Sequence, residues 1–175
     1  MNLLLHICCG VCASGALEIL LKNRNSVTGF FYNPNIYPFE EYEKRLNSAR
    51  IVAKAYNIKL IESDYDYELW EDNAAEGYES EQEGGTRCLR CFKTRLEQTY
   101  KYFLREKKFD FLTTTLTASP HKNLEHINKA GLETCGDKFK LYDFKQDNGF
   151  NKSIQTAKNL NIYRQNYCGC EYSKH

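Results

Sequence analysis

Short apolar runs alternate along this chain with longer stretches of helical period, and that alternation constrains the fold more than any other feature. Residues 3–8 read as a buried strand, followed by a helix over about 13–22 and a second strand over 27–32 that ends at Asn33-Pro34. Pro38 then opens a helix on which Phe39, Tyr42, Leu46, Ala49, Ala53 and Tyr56 recur on one face. A third strand is expected over 59–63, then a short helix over 68–75 with the only tryptophan, Trp70. Residues 76–87 are acidic and glycine-containing and read as a loop. A helix over 88–107 presents Leu89, Phe92, Leu96, Tyr100 and Phe103 to the core. The threonine-rich run at 111–116 favours a strand. Helices near 122–130 and 151–159 flank a short strand expected at 140–144, and the cysteine-bearing tail 163–175 has no clear period. Strand-helix alternation predicts an α/β sandwich, three layers around a mainly parallel sheet. With 175 residues and no linker, repeat or low-complexity segment, 1–175 is read as one domain.

The apolar stretch in MNLLLHICCG is too short for a signal peptide and lacks a positive region before it. No run approaches the roughly 20 apolar residues of a membrane span. The expectation is therefore a cytoplasmic protein with no membrane partner. In that compartment thiols stay reduced, so eight cysteines point to metal or redox chemistry rather than structural disulfides. The net charge of +1 argues against a generally basic, nucleic-acid-coating protein but leaves a local basic patch open.

Seven of the cysteines fall in three groups. Cys8 and Cys9 end the first strand, where open parallel sheets gather ligands. Adjacent residues on a regular strand face opposite ways, so both serve one site only if the backbone turns, and Gly10 permits a turn. Cys12 then falls near a helix start, where backbone N–H groups favour a thiolate. Cys88 and Cys91 sit three apart on one helical face, with Arg87, Arg90 and Arg95 around them. Arg95, one turn beyond Cys91, can counter a thiolate-bound cluster or meet a phosphate. In Cys168-Gly169-Cys170 the glycine allows close approach to a metal, or a reducible disulfide between near neighbours. Cys135 stands alone and reads as structural. Four thiolates suffice for a [4Fe–4S] cluster or a closed zinc site, so seven suggest a second redox or metal element.

Among the histidines, His6 lies within the first strand and His121 follows a proline just past a strand, at the expected active edge. His126 and His175 read as surface residues. Neither common nucleotide-phosphate loop is present. Where an ATP-pyrophosphatase-like fold has S-G-G-x-D-S, this chain has C-C-G-V-C-A-S, which argues against ATP use.

Together these motifs resemble the cobalamin-independent epoxyqueuosine reductases. The matching segments are L-L-H-I-C-C at 4–9, F-Y-N-P-N-I-Y-P-F-E-E-Y-E-K-R at 31–45, Y-D-Y-E-L-W at 65–70, E-G-G-T-R-C-L-R-C-F at 83–92, T-T-T-L-T-A-S-P-H-K-N at 113–123 and Y-R-Q-N-Y-C-G-C at 163–170. They run in order through nearly the whole chain. The resemblance implies an adenine-nucleotide α-hydrolase-like (HUP-like) sandwich. It also implies two-electron reductive deoxygenation of the epoxide of epoxyqueuosine at the tRNA wobble position, giving an alkene and water. Implied with it are a [4Fe–4S] cluster on Cys8, Cys9, Cys88 and Cys91 and an additional mononuclear iron or other divalent metal, with neither cobalamin nor ATP. Cys168 and Cys170 would be a redox-active pair or second-iron ligands, and Cys12 and Asp66 are candidates for the second metal. His121, Tyr32 and Asp66 are candidate proton donors. Partners would be tRNA bearing epoxyqueuosine in its anticodon loop and an electron donor. Arg95, Lys122, Lys145, Lys152 and Arg164 are candidate tRNA contacts, and Tyr32, Tyr37, Phe39 and Trp70 candidate stacking residues. The competing readings are an iron–sulfur-dependent tRNA thiolation enzyme, which would need the missing phosphate loop, and a zinc-binding RNA module, which leaves three grouped cysteines idle.

Overall fold

The computed structural model describes residues 1–173; the last two residues of the tail, Lys174 and His175, lie outside the described residues. Among the described residues the sheet has four parallel strands, β1 (Asn2–His6), β2 (Ser26–Phe31), β3 (Lys59–Glu62) and β4 (Phe111–Thr114), in the spatial order β3-β2-β1-β4. Register runs from Leu3 opposite both Val27 and Phe111 to His6 opposite both Phe30 and Thr114. β1 is therefore central and covered on both faces. Its Leu3, Leu4 and Leu5 are fully buried, which explains a continuous apolar run rather than an alternating one. Each such leucine contributes about 1.5–3 kcal/mol on burial.

The connecting helices are α1 (Gly10–Lys22), α2 (Phe39–Ala55), the single turn α3 (Tyr67–Trp70), α4 (Thr86–Glu106), α5 (Leu124–Cys135) and α6 (Gly149–Asn159). Right-handed crossovers put α1 and α2 on one face; the chain reverses direction across the sheet before β4, which puts α4 on the other. The packing agrees: α1 meets α2 and α6, and α4 meets α5. The expected three-layer α/β sandwich is what forms. The reversal of strand order falls between β1 and β4, and the crevice at their carboxyl ends is where such sheets bind ligands. No helix among the described residues is long and apolar enough to cross a membrane.

Several local expectations are corrected. No strand forms at 140–144; there is one bridge between Leu112 and Phe139, and the Lys140 N–H donates to the Leu112 carbonyl at 2.8 Å. The chain then leaves the sheet so that Phe144 enters the core, its ring stacked on Tyr142 at 5.2 Å. β4 stops at Thr114 because that side chain accepts from the Leu116 N–H at 3.1 Å and starts a 3-10 turn over Thr115–Ala118. The helix expected at 68–75 is α3 followed by a π turn over Glu71–Ala75. Phe39 was expected to lead the core face of α2, but it is 48% exposed. His126, read as a surface residue, is half-buried on α5.

Candidate metal centre at the carboxyl edge of the sheet

β1 ends at His6, and the next residues deliver three thiols to the crevice between β1 and β4. Cys9 caps α1 with an extended backbone, φ −168° and ψ 166°, and its sulfur accepts from the Cys12 N–H at 3.4 Å. The sulfurs of Cys8, Cys9 and Cys12 all lie within 4.8 Å of one another and all three residues are buried. Gly10 does not supply a left-handed turn here. Its role is close approach, since a Cβ would sit 2.7 Å from the Ser48 backbone on α2. Two partners from distant sequence complete the thiol environment. The Cys8 N–H donates to Thr115 Oγ1 at 3.0 Å, and the Thr115 hydroxyl donates to the Cys8 sulfur at 3.2 Å. The Gln165 side-chain amide donates to the Cys9 sulfur at 2.9 Å.

The thiols share protons unequally. Hydrogen bonds from Cys12 and Cys9, with Lys122 and Arg95 nearby, hold the Cys8 thiol well below its ordinary range. Cys12 lowers Cys9, but the hydrogen bond to Cys8 and burial outweigh this and push Cys9 up to about 11. Cys12 keeps its proton, raised by donating hydrogen bonds to Cys8 and Cys9 and by burial. Burial works against a charged Lys122, yet its electrostatic coupling to the sulfurs of Cys168, Cys8 and Cys12 outweighs this and pushes its pKa up. A small cleft lined by Cys8, Cys168, Arg45, Arg95 and Lys122 brings these charges together. Behind it, burial lowers His6 to about 3, so its ring is neutral. The His6 Nε2–H faces the Tyr32 carbonyl at 3.1 Å, and Nδ1 accepts from the Thr114 hydroxyl at 2.8 Å.

A second thiol set lies beside the first. Cys91 and Cys170 pack with Trp70, Ala74 and Ala75. Burial raises Cys88 and pushes Cys91 up to about 12, and the charges of Cys168 and Cys170 add to both effects. The Gly84 N–H donates to the Cys88 sulfur at 3.2 Å. Arg87 is buried and donates to the carbonyls of Tyr78, Glu79 and Glu81, so it shapes the loop before α4. All eight cysteines are free, and Cys135 lies in the main core.

The expected site residues fall into distinct places. Cys12 joins Cys8 and Cys9, whereas Cys88 and Cys91 do not enter that tight group among the described residues. A cavity of about 740 Å³ opens onto Cys12 and Cys168 and is bordered by His121, Lys122, Arg164, Phe150 and Ile154. Tyr32 and Asp66 line a separate pocket of about 270 Å³ with no cysteine among its lining residues. Asp66 caps α3 by accepting from the Leu69 N–H at 3.1 Å. Arg95 is buried and donates to Asn33, with its Nε lacking a partner. Lys152 is exposed on α6, and Lys145 is half-buried. Trp70 is fully buried, which places it in the core rather than against a base, while Tyr37 and Phe39 are 43% and 48% exposed. Sequence reasoning missed Arg45, Thr115 and Gln165 as site residues. All three lie inside the segments that matched the family, but no periodicity marked them.

The donor set fits a thiolate-bound metal group. Three buried thiols converge at a helix start, and buried cations need compensating negative charge. The unpartnered Arg95 Nε faces the same need.

A family model described as Epoxyqueuosine reductase QueH matches residues 3–175. Curated relatives of that name include those of Streptococcus pyogenes, 35% identical over 98% of this chain and 70% of the relative, and Acinetobacter baylyi, 36% identical over 98% and 80%. The Thermotoga maritima relative is 37% identical over 98% of this chain and 90% of its own. Among solved structures, a chain described as a predicted subunit of tRNA methyltransferase from Methanocaldococcus jannaschii covers 88% of this chain and 76% of its own, with a TM-score of 0.57 and 16% identity. That likeness concerns the fold alone.

Proposed function

This chain belongs to the epoxyqueuosine reductase QueH family, an oxidoreductase of queuosine biosynthesis, and from that premise we propose how its residues serve the reaction. The substrate is tRNA carrying epoxyqueuosine at the wobble position. Two electrons and two protons convert the epoxide to an alkene, and the oxygen leaves as water. The observation that carries the reading is the buried Cys8, Cys9 and Cys12 group at the β1–β4 crevice, opposite Arg95 and Lys122.

Cys8, Cys9, Cys88 and Cys91 would hold a [4Fe–4S] cluster, which supplies electrons one at a time when bound. Cys12, in contact range of Cys8 and Cys9, is the candidate ligand for an additional iron or other divalent metal. Cys168 faces the same cleft as Cys8, which suits either a redox pair with Cys170 or second-metal ligation. The 740 Å³ cavity is of a size to receive one nucleotide splayed from a loop. Lys122, which lines both this cavity and the thiol cleft, and Arg95, which lines the cleft, would offer positive charge to the negative oxygen of an opening epoxide. Of the three proton-donor candidates, His121 borders this cavity, whereas Tyr32 and Asp66 border the other pocket.

Two measurements test this. Epoxyqueuosine tRNA treated anaerobically with reduced enzyme should yield a nucleoside lighter by one oxygen atom; an unchanged nucleoside profile with fully iron-loaded enzyme would sink the activity. Iron and sulfide should both fall in Cys88→Ser and Cys91→Ser. Full retention there, with loss in Cys12→Ser, would move the cluster to the β1 side.

A further inference from the structure

The C-terminal segment crosses the thiol site, and one face of α2 holds it at two points. Glu41 and Arg45 are a buried i,i+4 pair with Arg45 Nε 2.7 Å from Glu41 Oε1. The other oxygen of Glu41 accepts from the Tyr163 hydroxyl at 2.7 Å. Four and five residues further along the segment, the Arg45 guanidinium donates to the Tyr167 carbonyl at 3.2 Å and the Cys168 carbonyl at 2.8 Å. It also lies over the Tyr167 ring, 5.1 Å from the centroid. One turn on, Ser48 Oγ reaches the Tyr163 carbonyl at 3.4 Å. Gly169 follows from this arrangement. Its φ is +130°, and a Cβ there would stand 2.9 Å from Arg45 Nη1. On the far side the Gly169 carbonyl accepts from the Tyr37 N–H at 2.8 Å.

We infer that Arg45 is a positioning residue for the Cys168-Gly169-Cys170 loop, using its planar fork to fix two successive carbonyls so that Cys168 faces Cys8 and Cys170 packs on Cys91. A buried guanidinium bound to Glu41 has one orientation, and that orientation sets the loop. Arg45 lines the thiol cleft, but its hydrogen bonds go to Glu41 and to backbone carbonyls, not to a sulfur. Its effect runs through the backbone of the two cysteines. This deepens the reductase reading only in its activity arm, because the placement of the thiols is measurable without turnover.

The test is site-resolved alkylation with iodoacetamide under anaerobic conditions on the protein as purified, followed by mass spectrometry. Core Cys135, 2% exposed, is the internal gauge of global opening. Arg45→Gln and Gly169→Ala act on the contact from opposite sides, and each should raise alkylation of Cys168 and Cys170 by about tenfold, with Cys135 unchanged. Arg45→Lys keeps the charge toward Glu41 but reaches one carbonyl, and should fall between. In turnover of epoxyqueuosine tRNA, kcat should drop with KM held. Wild-type alkylation rates at Cys168 and Cys170 in both variants would overturn the inference, as would Cys135 rising in step with them, the mark of a merely structural role. Absence of any turnover in the wild type would refute the reductase reading and leave the alkylation result standing.

Discussion

Gln165 donates its side-chain amide to the sulfur of Cys9 at 2.9 Å, across 156 residues of sequence. The bond ties the C-terminal segment to the cap of α1. A donor aimed at a metal-binding thiolate stabilises the charged form, and removing such a partner commonly weakens metal affinity or activity by about 10- to 100-fold. Gln165→Ala should therefore release iron to a chelator about tenfold faster under anaerobic conditions, with an unchanged far-UV spectrum. Equal release rates would mean that the sulfur does not depend on this amide.

His6 makes stability sensitive to acid. Burial holds its folded pKa to about 3, far below the ordinary value of 6.5. The folded state therefore binds fewer protons than the unfolded chain between those values, so stability is full above about pH 6.5 and falls as the pH drops toward 3. At pH 5 the loss from this group is about 2 kcal/mol. His6→Gln offers an amide donor to the Tyr32 carbonyl without titrating. Urea midpoints of both proteins at pH 7 and pH 5 should show a larger drop for the wild type. Equal drops would remove His6 as the cause.

The difference between what the sequence disclosed and what it hid follows from range. β1 is written as an apolar run because the central strand is covered on both faces, and strand logic alone placed Cys8 and Cys9 near its carboxyl end, although the strand stops at His6 rather than running to residue 8. The pairing of Cys12 with them follows from a helix starting at Gly10, only two residues before it. Arg45 was invisible: on α2 it reads as a solvated basic residue, and it is buried by a segment more than 120 residues away. The strand expected at 140–144 failed for a related reason. Its short run of apolar and aromatic residues is a local signal, but Phe144 is claimed by the core, and one bridge at Phe139 is all the sheet receives.

Gly10 gives a packing test of the site. A Cβ 2.7 Å from the Ser48 backbone has no flexible neighbour to displace, so Gly10→Ala must push α1 from α2. Overpacking of this kind costs about 1–3 kcal/mol. Because Gly10 lies between Cys9 and Cys12, the same shift should lower iron content. Chemical denaturation and iron analysis of one preparation would check both effects. Unchanged stability would show that the two helices part more easily than their contact implies.

The candidate tRNA contacts can be separated by salt. On single-stranded nucleic acid each neutralised phosphate adds about 0.7 to the slope of log affinity against log salt. Arg164 is exposed at the rim of the 740 Å³ cavity, where a loop phosphate can reach it. Lys152 is on α6 between Phe150 and Ile154, which line that cavity, and helical geometry turns it about 160–200° away from both. Arg95 is buried with Asn33 and is out of reach of an unmelted phosphate backbone. Arg164→Ala should therefore make the slope for an anticodon stem–loop shallower by about 0.7, while Lys152→Ala should leave it unchanged. Arg95→Gln should disturb the thiol site without altering the slope. Fluorescence anisotropy across a salt series reads all three, and a slope that shifts with Lys152 rather than Arg164 would place the RNA on the outer face of α6, away from the cavity that opens onto Cys12 and Cys168.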